Sequence, residues 1–274
     1  MSLREFPDVI QGSEEWHAQR RGMVTASVVG QLISVRSLTG IDFDCPECGA
    51  KPNAACTSKV RRAGDHGVPI KTLHSGRTAR DDGRPPILEP AINDVSRGLT
   101  ALLTAERITG FTEPTWMNDD MMRGVNDEPI ARDLYSEHFA EARETGFLVR
   151  DDWGFQIGFS PDGVIGDDGL LEVKSRRQKK QLMTILSGEV PPENMAQLQC
   201  GLLVSGRAWI DYVSFCGGMP LWRKRVHPDP VWFSAIIAAV RLFEENSAAM
   251  VATYTQATRG LPATERTVDL EMSL

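Results

Sequence analysis

Residues 158–175, GFSPDGVIGDDGLLEVKS, constrain this chain most tightly, because they set two acids and a lysine among apolar residues. Val164–Ile165 and Leu170–Leu171 flank Asp167, Asp168 and Gly169, which predicts a β-hairpin whose second strand carries Glu172 and Lys174. Side chains alternate along a strand, so Glu172 and Lys174 share one face while Val173 points into the core. The competing reading is an exposed edge, with Asp-Gly as turn chemistry and Glu-x-Lys as solvated charge. The apolar flanks favour burial, and a buried hairpin with unpaired charge calls for a metal ion or a phosphate. Asp162 and Glu172 offer hard oxygen ligands suited to Mg²⁺ or Mn²⁺, and the Lys174 amine can hold or help deprotonate a water. That set of groups suits phosphodiester cleavage.

Bulk properties neither supply nor exclude a nucleic-acid partner. The net charge is −7, yet the charge is unevenly spread. Residues 106–144 hold ten acids against four arginines, whereas residues 172–180, EVKSRRQKK, hold five bases against one acid. A basic strip just past the hairpin can neutralise phosphates while the acidic segment faces solvent; the plainer reading of the strip is a solvated loop. With 41% hydrophobic residues over 274 positions, the chain can bury one large core. No apolar run approaches 18 residues, and the opening MSLREFPDVIQG is not a charged-then-apolar leader, so the expectation is a soluble cytoplasmic protein, in the host cytoplasm if phage-encoded, with no membrane partner.

Four segments occur in an order that resembles the lambda exonuclease family, the YqaJ-like viral recombinases of the PD-(D/E)xK nuclease superfamily. They are GSEEWHAQRRGMVTASVVGQLI at 12–33, MMRGVNDEPIARDLYSEHF at 121–139, the hairpin itself, and ENMAQLQCGLLVSG at 193–206. The resemblance implies metal ligation by Asp162, Glu172 and the Val173 carbonyl, with Glu128 as a further acid near the metals. It makes Lys174 the catalytic lysine and Gln197 a supporting glutamine on a helix behind the site. It also implies that Arg20 and Ser27 hold the 5′-phosphate of a DNA end. The chemistry of these residues agrees, since a guanidinium forks onto phosphate oxygens, and a serine with helix N-terminal amides completes an anion pocket. Trp16 and His17, which also fit the family pattern, are read as packing residues.

Between the first two segments, FDCPECGAKPNAACTSKVRRAGDHGVPIKTLHSGRTAR holds Cys45 and Cys48 in a CxxC turn, with Cys56 eight residues on. A closed tetrahedral zinc site needs a fourth ligand. His74 is the choice, following apolar Ile70 and Leu73; His66, between Gly64 and Gly67, is the alternative. The stretch also resembles small Cys₃His zinc modules written CPxCGAxP…C…HxxR, where HSGR at 74–77 fits the ending. Lys59, Arg61, Arg62, Lys71, Arg77 and Arg80 against Asp65 suggest a basic surface for DNA, and a protein partner is equally open. Cys200 and Cys216 read as core.

The expected fold is mixed α/β: a central sheet flanked by helices, a restriction-endonuclease-like PD-(D/E)xK core over 1–256, a zinc-binding insertion at 44–80, and a loose tail at 257–274. Ser13 and Thr25 are candidate N-caps, and Ile92, Val95, Leu99, Leu102 and Leu103 mark a helix ended by Gly110. Met121, Met122, Val125, Ile130, Leu134 and Phe139 mark a second helical face, which Pro129 should start or kink, leaving Glu128 near a helix N-terminus. Strands are expected near 146–151, 153–160, 208–216 and 221–227, and helices near 178–187, 193–205 and 230–256.

The resemblance implies a metal-dependent exonuclease that degrades duplex DNA from 5′ ends, as a ring-shaped homotrimer, handing 3′ overhangs to a single-strand annealing protein. Two alternatives stand beside it: a structure- or site-specific endonuclease on the same fold, and a zinc-dependent DNA- or protein-binding factor with an inactive nuclease core.

Overall fold

The computed structural model describes residues 3–59, 67–80, 82–114 and 116–266. Among these the chain forms β1 (Leu3–Phe6), α1 (Glu14–Arg20), β2 (Val24–Thr25), α2 (Ala26–Val29), β3 (Ile33–Arg36), β4 (Ile87–Pro90), α3 (Asp94–Thr109) and α4 (Asp119–His138). It continues through β5 (Phe147–Arg150), β6 (Ile157–Phe159), β7 (Gly163–Ile165), β8 (Gly169–Ser175), α5 (Gln178–Ser187), α6 (Pro192–Ser205), β9 (Trp209–Phe215), β10 (Trp222–Val226) and α7 (Pro230–Ala257). The mixed α/β class is as expected, but the single central sheet is two. One has the order β10-β9-β8-β7, with β8 and β9 parallel and the outer pairs antiparallel; the other has the order β1-β5-β6-β2. The break falls at Ser160–Asp162, where the chain leaves β6 of one sheet and enters the hairpin of the other.

Helix α6 is the element on which both sheets and α7 converge. Leu198, Cys200, Leu202 and Val204 are at most 1% exposed and lie in the main core with Phe159, Tyr212 and Phe243. Gly201 lets the helix approach β6 closely, since a Cβ there would lie 2.7 Å from the Phe159 ring. Ser13 caps α1 by accepting from the Trp16 N–H, and Thr25 precedes α2 without a side-chain cap bond. Gly110 ends α3 in the left-handed conformation. On α3 only Leu99 and Leu103 of the expected apolar set are buried; Val95 and Leu102 are exposed, and Ile92 precedes the helix.

Helix α4 departs further from expectation. It runs unbroken through Pro129, so Glu128 sits in its middle and not near its N-terminus. The expected apolar face is largely solvent-facing, with Met121, Met122, Val125, Ile130 and Phe139 exposed, while Ala131, Arg132 and Tyr135 are buried against β8 and β9. Polar anchoring explains the rotation. The Tyr135 hydroxyl donates to buried Asp211 at 2.6 Å, and Arg132 Nη1 donates to the Asp162 carbonyl at 2.6 Å. Two charge-assisted bonds of this kind outweigh a scattered apolar stripe and offset the hydrogen bond that Pro129 removes.

The cysteine segment leaves and re-enters through β3 and β4, which pair antiparallel from Ile33↔Pro90 to Arg36↔Ile87. Strand β6 begins at Ile157, shorter than expected, while Trp153 and Phe155 precede it and pack against the core. The basic strip is mostly spoken for: Arg176 donates to Asn194 and Tyr212, Arg177 pairs with Asp120, and Lys180 with Glu193. The final residues of the expected tail, 267–274, lie outside the described residues. No helix among the described residues is long and apolar enough to cross a membrane.

Candidate active site and metal centre

Glu128, Asp162, Glu172, Val173, Lys174 and Gln197 line one cavity of about 430 Å³, and Arg20 and Ser27 line it too. The hairpin supplies the floor. Strand β8 is buried through Val173, and its alternation brings Glu172 and Lys174 to the cavity while Val173 joins the core with Leu171 and Val213. Asp162 Oδ2 accepts from the Val173 N–H at 2.6 Å, which ties the loop before β7 to the strand after it. Glu172 Oε1 accepts from Lys174 Nζ at 2.6 Å and from Gln197 Nε2 at 2.5 Å. Its other oxygen, Oε2, is buried without a hydrogen-bond partner.

An orphaned, buried carboxylate oxygen is unfavourable unless a cation or another partner meets it. The electrostatics agree. Burial, reinforced by the charges of Glu172 and Glu128, pushes the Asp162 carboxyl well above the usual range. Burial raises Glu128 too, against the pull of Arg132 at 2.9 Å. Burial also works against the Lys174 ammonium, but Glu172 and Asp162 outweigh it and hold the amine above its ordinary value. Three acids crowded around one amine fit a divalent ion with few protein ligands, the usual arrangement for Mg²⁺.

Arg20 lies on the opposite wall. Its guanidinium stacks 4.0 Å from the Trp16 ring centre, and Nη2 donates to Thr25 Oγ1 at 3.2 Å and Ser27 Oγ at 3.3 Å. Trp16 Nε1 donates in turn to Ser160 Oγ at 3.3 Å. Thr25, Ser160 and Gln11 also line this wall and were missed by sequence reasoning. Ser160, two residues before Asp162 in the SPD run, was the one with a visible signal. Trp16 is buried, as expected, but it is part of this wall, and His17 packs its ring edge-on against Trp16 while remaining exposed to solvent.

The second centre lies in the insertion. Ligand atoms of Cys45, Cys48, Cys56 and His74 all fall within 4.8 Å of one another, the group of His, Cys, Asp and Glu that closes this way among the described residues. Cys45 Sγ is 3.4 Å from His74 Nδ1, near the roughly 3.5 Å edge that a Zn–S bond of about 2.3 Å and a Zn–N bond of about 2.0 Å give in a tetrahedron. His66, Arg61, Arg62 and Asp65 lie outside the described residues. Gly49, at φ 71°, closes the CxxC turn. The Thr57 N–H, aided by that of Ala50, brings the Cys48 thiol down to about 6, whereas burial pushes Cys45 up. Soft donors in a closed set fit zinc, in contrast to the open carboxylate cavity.

Arg77 corrects its own assignment. It is 3% exposed and donates to the carbonyls of Ile41, Phe43, Lys51 and Ala54 and to Cys56 Sγ at 3.4 Å, so it braces the module from inside and adds nothing to a basic surface. Lys59 is engaged by Glu47, which leaves Lys71 and Arg80 as exposed bases.

Comparison with known proteins finds a family match over the segment that holds each candidate centre. Residues 95–208 match the YqaJ-like viral recombinase domain, a span that contains Glu128, Asp162, Glu172, Lys174 and Gln197. Residues 11–92 match the family described as "Putative DNA-binding phage zinc finger domain", a span that includes Arg20 and Ser27 as well as the cysteines. No curated protein matches the chain. Among solved structures, the alkaline exonuclease LHK-Exo from Laribacter hongkongensis is 25% identical, superposes with a TM-score of 0.62, and the match covers 91% of this chain and 100% of that one. Its complex with dAMP gives 0.63 at the same identity and coverage. The chain thus carries one segment similar to the YqaJ-like viral recombinase domain and one similar to a phage zinc-binding family, and its fold is similar to that of an alkaline exonuclease.

Proposed function

We propose that the protein is a DNA exonuclease that hydrolyses duplex DNA from 5′ ends. The observation that carries this reading is the orphaned Glu172 Oε2 beside Asp162, Glu128 and Lys174, in a cavity whose far wall is built of phosphate-binding groups. Asp162, Glu172 and the Val173 carbonyl would hold the divalent ion, Mg²⁺ or Mn²⁺, with Glu128 close by. A bound ion of this kind supplies charge neutralisation at the phosphate and a more acidic water.

The chain's own groups do the rest. Lys174, held by Glu172, orients the attacking water in line with phosphorus, and Gln197 fixes the Glu172 carboxylate from α6. Arg20, with Thr25, Ser27 and Ser160 around it, receives a terminal phosphate and so sets how far the strand enters. The zinc segment would add contacts to duplex DNA through Lys71 and Arg80. A homotrimer enclosing the duplex, and transfer of 3′ overhangs to an annealing protein in the host cytoplasm, complete the reading; they rest on the likeness to exonucleases and recombinases.

The test is digestion of linear, nicked and circular duplexes with each end labelled in turn. Linear DNA should lose its 5′-labelled nucleotides first, faster from phosphorylated than from hydroxyl ends, and Arg20→Ala should erase that preference. Cutting of closed circles would replace this reading with an endonuclease, and intact DNA in every arm would leave only a binding role.

A further inference from the structure

The cavity has two unlike walls. Arg20, Thr25 and Ser27 form the part of the lining that suits phosphate, whereas another part is the first half of α4. There Asp120, Met121, Gly124, Val125 and Glu128 line the cavity along one helical face, an acid at each end and Met121, Gly124 and Val125 between them. Met121 and Val125 are 44% and 61% exposed. Gly124 sits at the centre of this face.

Glycine inside a helix costs about 1 kcal/mol relative to alanine, so its presence asks for a reason. Backbone conformation is not one, because Gly124 is helical and absent from the positive-φ glycines. Crowding within the protein is not one either: a Cβ built there meets nothing within 4 Å. The space that a side chain would fill is the cavity itself. Glycine is the residue that lets a ligand come close to backbone.

We propose that Gly124, flanked by Met121 and Val125, is the seat for the deoxyribose and base of the nucleotide whose phosphate faces Arg20 and the carboxylates. The proposal rests on the nuclease reading above and adds which part of the nucleotide α4 receives. The phosphate goes to the donors and the cation-binding acids. The less polar sugar edge and base face go to the wall that offers apolar side chains and bare backbone.

The experiment compares wild type with Gly124→Ala, Gly124→Leu and Gly98→Ala, by thermal melting and by steady-state cleavage of 5′-phosphorylated linear duplex. Gly98 is the control, a glycine inside α3 that is exposed, has equally open surroundings and lies outside the cavity. Both alanine variants should melt above wild type. Gly98→Ala should cut as wild type does, while Gly124→Leu should raise KM by about tenfold or more with a smaller change in kcat, and Gly124→Ala should raise it less. A Gly124→Leu protein that melts at or above wild type and keeps its KM overturns the proposal. Should the leucine variant melt low, a Gly124→Ala protein with unchanged KM does the same. A wild type that leaves DNA uncut overturns the nuclease reading and this seat together, whereas a cutting wild type indifferent to both substitutions overturns the seat alone.

Discussion

At the scale of single residues, charge balance in the cavity decides most of what can be measured. Lys174 is paired to Glu172 at 2.6 Å, and Asp162 is tied by Oδ2 to the Val173 N–H, so neither is needed to fill apolar space. Lys174→Ala and Asp162→Asn should therefore keep the fold and DNA binding but lower turnover by about 10²- to 10⁴-fold, the range of a positioned proton-handling group. Near wild-type turnover in either variant would remove the hairpin from the mechanism. Asp162→Asn should also melt no lower than wild type in the absence of divalent ions, because it relieves repulsion from Glu172 and Glu128. These residues could be picked from sequence because a strand spacing of two and an acid after proline are local patterns. Thr25 and Gln11 could not, since only the meeting of the α1 region, β2 and the loop after β6 brings them beside Ser160, whose place in the SPD run is the one local signal.

At the scale of elements, the insertion is held by two internal ties, each with its own test. Arg77 uses its planar fork on four carbonyls and one thiolate ligand, a geometry lysine cannot copy. The purified protein should hold one zinc per chain. Cys48→Ser should release it and open residues 44–80 to protease, with cleavage of short substrates partly retained. Arg77→Lys should keep the four ligands yet release zinc faster to a chromogenic chelator, and zinc loss at the wild-type rate would show the brace to be dispensable. The second tie is Asp42, 3% exposed, which Arg36 grips at 2.7 Å and 3.0 Å while the Thr39 N–H donates at 2.8 Å. The Arg36 bond, followed by that N–H, holds the carboxyl far below its ordinary 3.8. A depressed carboxylate stabilises the fold fully above its unfolded value and loses that contribution as pH falls below 3.8 towards the folded value. Melting below pH 3.8 should thus be less steep with pH in Asp42→Asn than in wild type, although the variant melts lower at neutral pH. Parallel acid limbs would refute the assignment.

At the scale of the whole molecule, two chemically distinct candidate metal sites lie on one chain, soft sulfur donors in the insertion and hard carboxylates in the cavity. Brief treatment with a weak chelator should abolish cleavage while zinc stays bound, and Mg²⁺ or Mn²⁺ alone should restore it. Zinc leaving in step with activity, and activity returning only with zinc, would merge the two roles. Local patterns along the chain were enough for part of the frame: the β7–β8 hairpin with Glu172 and Lys174 on one face, α6 and α7, and the Cys₃His spacing. Each is encoded by periodicity or ligand spacing within a few dozen residues. Four features came from long-range contacts: the division into two four-stranded sheets and a β3–β4 pair, the outward turn of most of the α4 apolar stripe and its run through Pro129, the ion pairing of most of the basic strip, and the burial of Arg77. All four depend on partners distant in sequence: Asp211 and the Asp162 carbonyl for α4, Asp120 and Glu193 for the strip, and the carbonyls of residues 41–54 for Arg77. On α4 and in the insertion, long-range hydrogen bonds to buried groups outweigh local hydrophobic pattern, and pattern is what a single sequence displays.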